Sequence, residues 1–293
     1  MATVAFDAAQ AAGMRVERHE TETSRWEVAR RDPLPQLRPY LLAGHEGWAQ
    51  TRGAPPHLRE VPFPGVPLIL NLGASWQIED PGVDRSTRRL QSFVAGLSTA
   101  PAIVRGADAW ACVELRLTPL GAHRLLGVPM SELANQTVEL EQVLPQTREL
   151  GERLREARRW SERFDLVDSF LTRRLADSRP THPGIEWSWH HLYNTHGRAP
   201  IGEIAEALGW SHRRLIARFR EQIGLTPKLL ARVIRFDRAV TAIRASGVRG
   251  LAEIAFECGY SDQAHLNREF RELAGTSPTT FRAARLDSGG IAA

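Results

Sequence analysis

Lysine is nearly missing from this chain: Lys228 stands alone against 37 arginines. A nucleotide-phosphate loop needs its lysine directly behind a glycine-rich run, and Lys228 has none, so that class is excluded. Cysteine is as scarce. Cys112 and Cys258 lie far apart and match no metal-ligand spacing. Neither HExxH nor GxSxG occurs, and His190 and His191, as neighbours on a helix, would point apart instead of sharing a metal. These gaps argue against an enzyme and against a metal or other cofactor. No run of 18 apolar residues exists, and residues 1–20 lack a basic leader followed by an apolar block. No membrane span and no signal peptide are therefore expected, and the cytoplasm is the expected compartment.

What is present is the composition of an ordinary globular chain, 42% apolar and 25% charged over 293 residues, enough for two domains with cores of their own. The charge is unevenly spread. Residues 1–182 carry 23 arginines against 23 acidic residues, so the whole formal excess of +4 falls in residues 183–293. A basic excess confined to one part of a chain suits contact with phosphates, although a solvated helical surface can show the same balance.

That basic part also repeats itself, which sets the organisation of the chain. One copy reads Glu203-Ile204-Ala205, Gly209-Trp210-Ser211, Leu215, Phe219, Gly224, Pro227. The other reads Glu253-Ile254-Ala255, Gly259-Tyr260-Ser261, Leu266, Phe270, Gly275, Pro278. The offset is 50 residues up to the serine and 51 beyond it, so the second copy gains one residue after its turn. Ile201, Ile204, Ala205 and Leu208 recur at helical spacing, Gly209 suits the left-handed exit of a helix, and Ser211 can cap the next one. Each copy thus predicts a short helix, a tight turn and a longer helix. A helix over 227–245 separates the copies and fixes their spacing. Cys258, standing where the first copy has Leu208, is expected as a core thiol.

The run Gly259-Tyr260-Ser261-Asp262-Gln263-Ala264-His265-Leu266-Asn267-Arg268-Glu269-Phe270, with Gly275-Thr276-Ser277-Pro278 and Phe281-Arg282, resembles the signature of AraC/XylS-type transcriptional regulators. Leu225-Thr226-Pro227 and the segment 232–239 are similar to the first motif and linker helix of the same family. The resemblance covers residues 185–285. It implies a DNA-binding transcription factor, an activator in many cases, that inserts the second helix of each motif into successive major grooves. The implied partners are double-stranded promoter DNA, RNA polymerase and a small-molecule effector, with a homodimer as a further option.

In such a motif the exposed N-terminal side of the second helix meets base edges. For the second copy that side holds Gln263, Ala264, Asn267 and Arg268, with His265 beside them. For the first it holds His212, Arg213, Ile216 and Ala217, with Arg214 beside them and Ser211 at the cap. Arginine matches a guanine edge, asparagine or glutamine an adenine edge, and an apolar side chain a thymine methyl. Ala217 stands where the second copy has Arg268, so the first copy is expected to read bases less fully and to lean on Arg213 and Arg214. Arg218 and Arg220 are expected as solvated charges.

Upstream, short apolar runs punctuated by Gly and Pro over 25–116 predict strands of a barrel or sandwich. Helices follow over 119–126, 146–157 and 161–176; they either pad the domain's core or form a dimer seam. The expected fold class is α+β: a β-rich, barrel-like domain with closing helices, then an all-α unit of two helix-turn-helix motifs. The expected divisions are a flexible segment over 1–24, an effector-sensing or dimerisation domain over 25–176, a linker over 177–183, the DNA-binding domain over 184–285 and a disordered tail over 286–293. Trp26, Trp48, Trp76 and Trp110 either line an effector pocket or serve as core. Two other classes compete with a sensing regulator. A repair alkyltransferase carrying the same module would need a reactive cysteine in a metal-type cluster, and a purely architectural DNA binder would not need so large an N-terminal domain.

Overall fold

The computed structural model describes residues 3–6, 13–80, 87–245 and 249–284. Its N-terminal half is built on two antiparallel sheets. The larger runs in the order β1 (Thr3–Phe6), β2 (Met14–Glu20), β3 (Arg25–Arg31), β4 (His45–Arg52), β11 (Trp110–Leu117), β6 (Val66–Asn71), β9 (Phe93–Ala95), β12 (Thr137–Glu139). The smaller runs β5 (His57–Glu60), β10 (Ala102–Arg105), β7 (Trp76–Glu79), β8 (Thr87–Leu90). Both strand orders are linear, so the β-rich domain is a pair of open sheets and not a closed barrel.

The strands at the middle of the large sheet are apolar. In β6 and β11, Val66, Leu68, Leu70, Val113, Leu115 and Leu117 are buried. Against them lie α1 (Pro119–Leu126), the short α2 (Leu140–Val143), α3 (Thr147–Glu156) and α4 (Trp160–Ala176). Thr118 caps α1 by accepting from the Gly121 N–H at 2.9 Å. Trp160, at the start of α4, rests on Gly47 of β4, where any Cβ would come within 2.4 Å of its ring. The indole then donates to Glu27 on β3 at 2.8 Å. Nearby, Asp168 of α4 accepts from Arg31 at 2.6 Å and lies 2.6 Å from His45 Nε2, a buried charge cluster that ties α4 to β3 and β4.

The expectation of a flexible segment over 1–24 is not met in the described residues 3–6 and 14–20: β2 pairs along its whole length with β3 and, on its other edge, with β1, while 1–2 and 7–12 lie outside the described residues. The reason it escaped notice is compositional. Met-Arg-Val-Glu-Arg-His-Glu is mostly polar, with only Met14 and Val16 packed on the core, too short an apolar alternation to read as a strand.

Beyond α4 the chain is helical: α5 (Pro183–Asn194), α6 (Ile201–Ala207), α7 (His212–Ile223), α8 (Pro227–Ala245), α9 (Leu251–Glu257), α10 (Gln263–Ala274) and α11 (Pro278–Ala283). The helix expected over 227–245 has those bounds. The expected tail over 286–293 lies outside the described residues.

The buried apolar residues do not divide at the end of α4. One continuous cluster runs from Leu68, Leu115 and Met130 through Leu171 and Trp189 to Leu215, Phe219 and Ile234. A second cluster, centred on Phe236, Ile254, Leu266, Phe270 and Phe281, belongs to the later helices and meets the β-rich half through Val61.

Candidate nucleic-acid interface

The two copies fold alike. After α6, Gly209 takes φ +61°, its N–H reaches the Glu206 carbonyl at 2.9 Å, and the Trp210 N–H reaches the Ala205 carbonyl at 2.9 Å. After α9, Gly259 takes φ +82°, and the matching bonds run to Phe256 at 3.1 Å and Ala255 at 2.9 Å. A side chain at either glycine would be strained by that left-handed backbone. Ala205 and Ala255, both buried, let each pair of helices cross closely. Leu215, Phe219 and Ile223 anchor α7, and Leu266, Phe270 and Leu273 anchor α10, all with no measurable exposure. Full burial of such side chains contributes about 1.5–3 kcal/mol each.

The caps differ, and this accounts for the extra residue. Ser211 caps α7, its hydroxyl accepting from the Arg214 N–H at 3.3 Å. In the second copy Asp262, not the serine, is the cap and accepts from the His265 N–H at 2.6 Å. That bond, with Ser261 and Arg268 adding to it, holds the Asp262 carboxyl below its ordinary pKa. An anionic cap also suits the positive end of the helix. Ser261 is released to face His265, its Oγ lying 3.1 Å from Nδ1.

The residues singled out in the sequence are distributed as follows. On α7, His212, Arg213, Ile216 and Ala217 are exposed on one side, and Ile216 presents an apolar surface to solvent. Arg214 lies on the flank, its guanidinium 4.6 Å above the Trp210 ring. On α10, Gln263, Ala264 and Arg268 are exposed together. Asn267 is half-buried with its carbonyl oxygen unpartnered, so it is less open than its neighbours. His265 is held edge-on against Tyr260 at 5.2 Å. Among the described residues Arg213 and Arg268 form no ion pair, whereas Arg218 is tied to Glu221 at 2.9 Å. Cys258 is buried, as its place in the repeat implied.

The four tryptophans do not gather into one pocket. Trp76 meets Trp110 edge-on at 5.1 Å within a small core with Ile78, Leu90 and Phe93. Trp26 stacks on His19, and Arg30 covers Trp48. The apolar void between the large sheet and the helices, lined by Leu68, Leu70, Leu115, Leu125 and Leu171, measures about 10 Å³. That holds one water at most.

Paired turns with positive-φ glycines, capped second helices and a rod between them define a double helix-turn-helix unit. Residues 204–284 match the family described as a helix-turn-helix domain. Over 66 residues the chain is 35% identical to an uncharacterised HTH-type transcriptional regulator, YbfI, of Bacillus subtilis, covering 22% of this chain and 23% of that protein. Over 82 residues it is 33% identical to the transcriptional activator RhaS of Escherichia coli, covering 28% and 29%. The chain thus spans under a third of the length of these relatives. A structure of ToxT from Vibrio cholerae aligns over 93% of this chain and 98% of its own, at 10% identity and a TM-score of 0.46. The matched C-terminal region, residues 204–284, is a helix-turn-helix domain.

Proposed function

We propose that the protein is a sequence-specific DNA-binding transcriptional regulator that lays α7 and α10 into successive major grooves on one face of the duplex. The observation that supports this most directly is the pair of exposed helix faces, each fixed by the same turn geometry and spaced by α8. Arg268 and Gln263 supply bidentate hydrogen-bonding chemistry to guanine and adenine edges, with Asn267 beside them. His212, Arg213, Ile216 and Ala217 supply a partly apolar face for the first half-site, with Ser211 and Arg214 at its margin. Ala264 and His265 complete the second. In this reading the protein acts in the cytoplasm, works with RNA polymerase as an activator and is not an enzyme. Control comes from a small-molecule effector taken up by the N-terminal half, and a second copy of the chain can take part. The core that runs unbroken from the sheet into α7 offers that control a physical route.

Selection of bound sequences from random DNA with the full chain tests the proposal. A consensus with two submotifs about 10–10.5 base pairs apart is expected. Enrichment of no sequence would overturn it.

A further inference from the structure

Beside the second motif, where it meets α8 and the segment leading into the first motif, the surface opens into a groove of about 820 Å³. Its walls come from segments distant in sequence: Arg198 ahead of α6, Arg238 on α8, Phe256 on α9, and Tyr260, Ser261 and His265 where the second turn enters α10. Two features mark it. Phe256 is 81% exposed, when the next most exposed large apolar side chain, Trp187, is 42% exposed. Neither Arg198 nor Arg238 has an acidic side chain bound to it among the described residues. Arg198 donates only to the Glu257 carbonyl, and the Glu257 carboxylate is itself taken by Arg249 at 3.1 and 3.3 Å. The groove is therefore cationic, with an apolar lip.

Its position gives the occupant. Ser261 and His265 stand at the same end of α10 as Gln263 and Ala264, and Arg198 belongs to the segment that leads into the first motif. A duplex seated on the exposed start of α10 would therefore lie against this surface. We propose that the groove seats the phosphodiester backbone of the DNA between the two half-sites. Arg198 and Arg238 neutralise neighbouring phosphates, and Phe256 packs against the sugar edge. The first copy has Glu206 where the second has Phe256, so this is a property of the second motif and not of the repeat. A run of paired charges would suit a solvated surface; two unneutralised arginines beside an exposed phenyl ring suit a polyanion with apolar sugars. The proposal rests on the reading of the protein as a regulator and adds to it a contact that carries no sequence information.

The test is a binding titration of the full chain against its selected consensus and a scrambled duplex, at several salt concentrations. R198Q and R238Q are each expected to weaken binding to both duplexes by the same factor, leaving their ratio unchanged. Each should also make the dependence of log K on log salt shallower by about 1. R238K, which keeps the charge, should retain the wild-type slope, and F256S should weaken binding with the slope unchanged. Because R198Q and R238Q alter different walls, misfolding of one, seen by thermal melting, leaves the other as the test. Wild-type affinity and slope in both glutamine variants would overturn the proposal and leave the groove to a protein partner. Failure of the unaltered chain to select any consensus would be a different result: it would sink the regulator reading first.

Discussion

At the residue scale, the proposed specificity turns on the inequality of the exposed faces of α7 and α10. Position for position from the start of each second helix, Arg268 on α10 faces Ala217 on α7, and Asn267 faces Ile216. Arg268 is exposed and unpaired among the described residues, so in the proposed complex its guanidinium would meet a base edge without first breaking a protein bond. Arg268→Ala is expected to relax preference at one base pair and cost about 1–3 kcal/mol. A titration across single-base operator variants checks it, and unchanged preference at every position would remove Arg268 from the reading set. Legibility at this scale was uneven. Gln263, Ala264 and Arg268 lie where helical spacing put them. The cap of α10 was not legible, because Ser261 and Asp262 are both good capping residues and only the backbone decides between them. Arg198 and Arg238 could not be found by pattern at all, since three-dimensional proximity alone joins them.

Elements are set against one another by a few polar clamps laid over the apolar clusters. Arg232, on α8, is the clearest. Its Nε donates to Glu269 at 2.5 Å and its Nη2 to Glu272, so the rod grips the second reading helix from behind. Glu269 is buried, with its second carboxylate oxygen unpartnered. Removing only the arginine would leave a buried charge uncompensated, a loss of about 3–5 kcal/mol for fully buried pairs. With Arg232 partly open to solvent, Arg232→Ala is expected to cost about 2–3 kcal/mol in denaturant unfolding. Replacing both partners, as in Arg232→Met with Glu269→Leu, should recover most of that. A single variant as stable as the wild type would show that the clamp contributes nothing. The helices here were legible because 3.6-residue periodicity and glycine stops act locally. The sheets were less so: closure into a barrel depends on pairing between the edge strands β1 and β12, which lie far apart in the chain, and no local run encodes whether they meet.

Across the whole molecule the two motifs are mechanically unequal. The first shares its core with the β-rich half: the end of α7 packs on the turn Met130–Glu132 and on α1, inside one apolar cluster. The second has a cluster of its own, and its link to that half is thin and partly polar, through Val61 and a bond from Arg59 to the Ala274 carbonyl at 3.3 Å. Any strain arising in the sheets would reach α7 through a shared apolar core, and α10 through α8 and the thin Arg59–Ala274 contact. Asp237 sits on α8, within electrostatic reach of Tyr193 on α5, Arg244 on α8 and Arg116 on β11. Burial pushes its carboxyl up to about 6, against the pull of Arg244 and Arg116. A folded pKa above the unfolded one means the native state binds the proton more tightly. Its contribution to stability is therefore full below about pH 4 and is lost as pH rises through about 6. At neutral pH the chain accordingly carries a destabilising, half-buried charge on α8. Asp237→Asn removes that charge while keeping the shape of the protonated acid. It should raise stability at pH 7.5 by about 1–3 kcal/mol, a gain that shrinks as pH falls through 6 and vanishes near 4. Unfolding curves for the two proteins at pH 4, 6 and 7.5 decide it. Equal stability at pH 7.5 would mean that Arg116 and Arg244 already compensate the carboxylate in full.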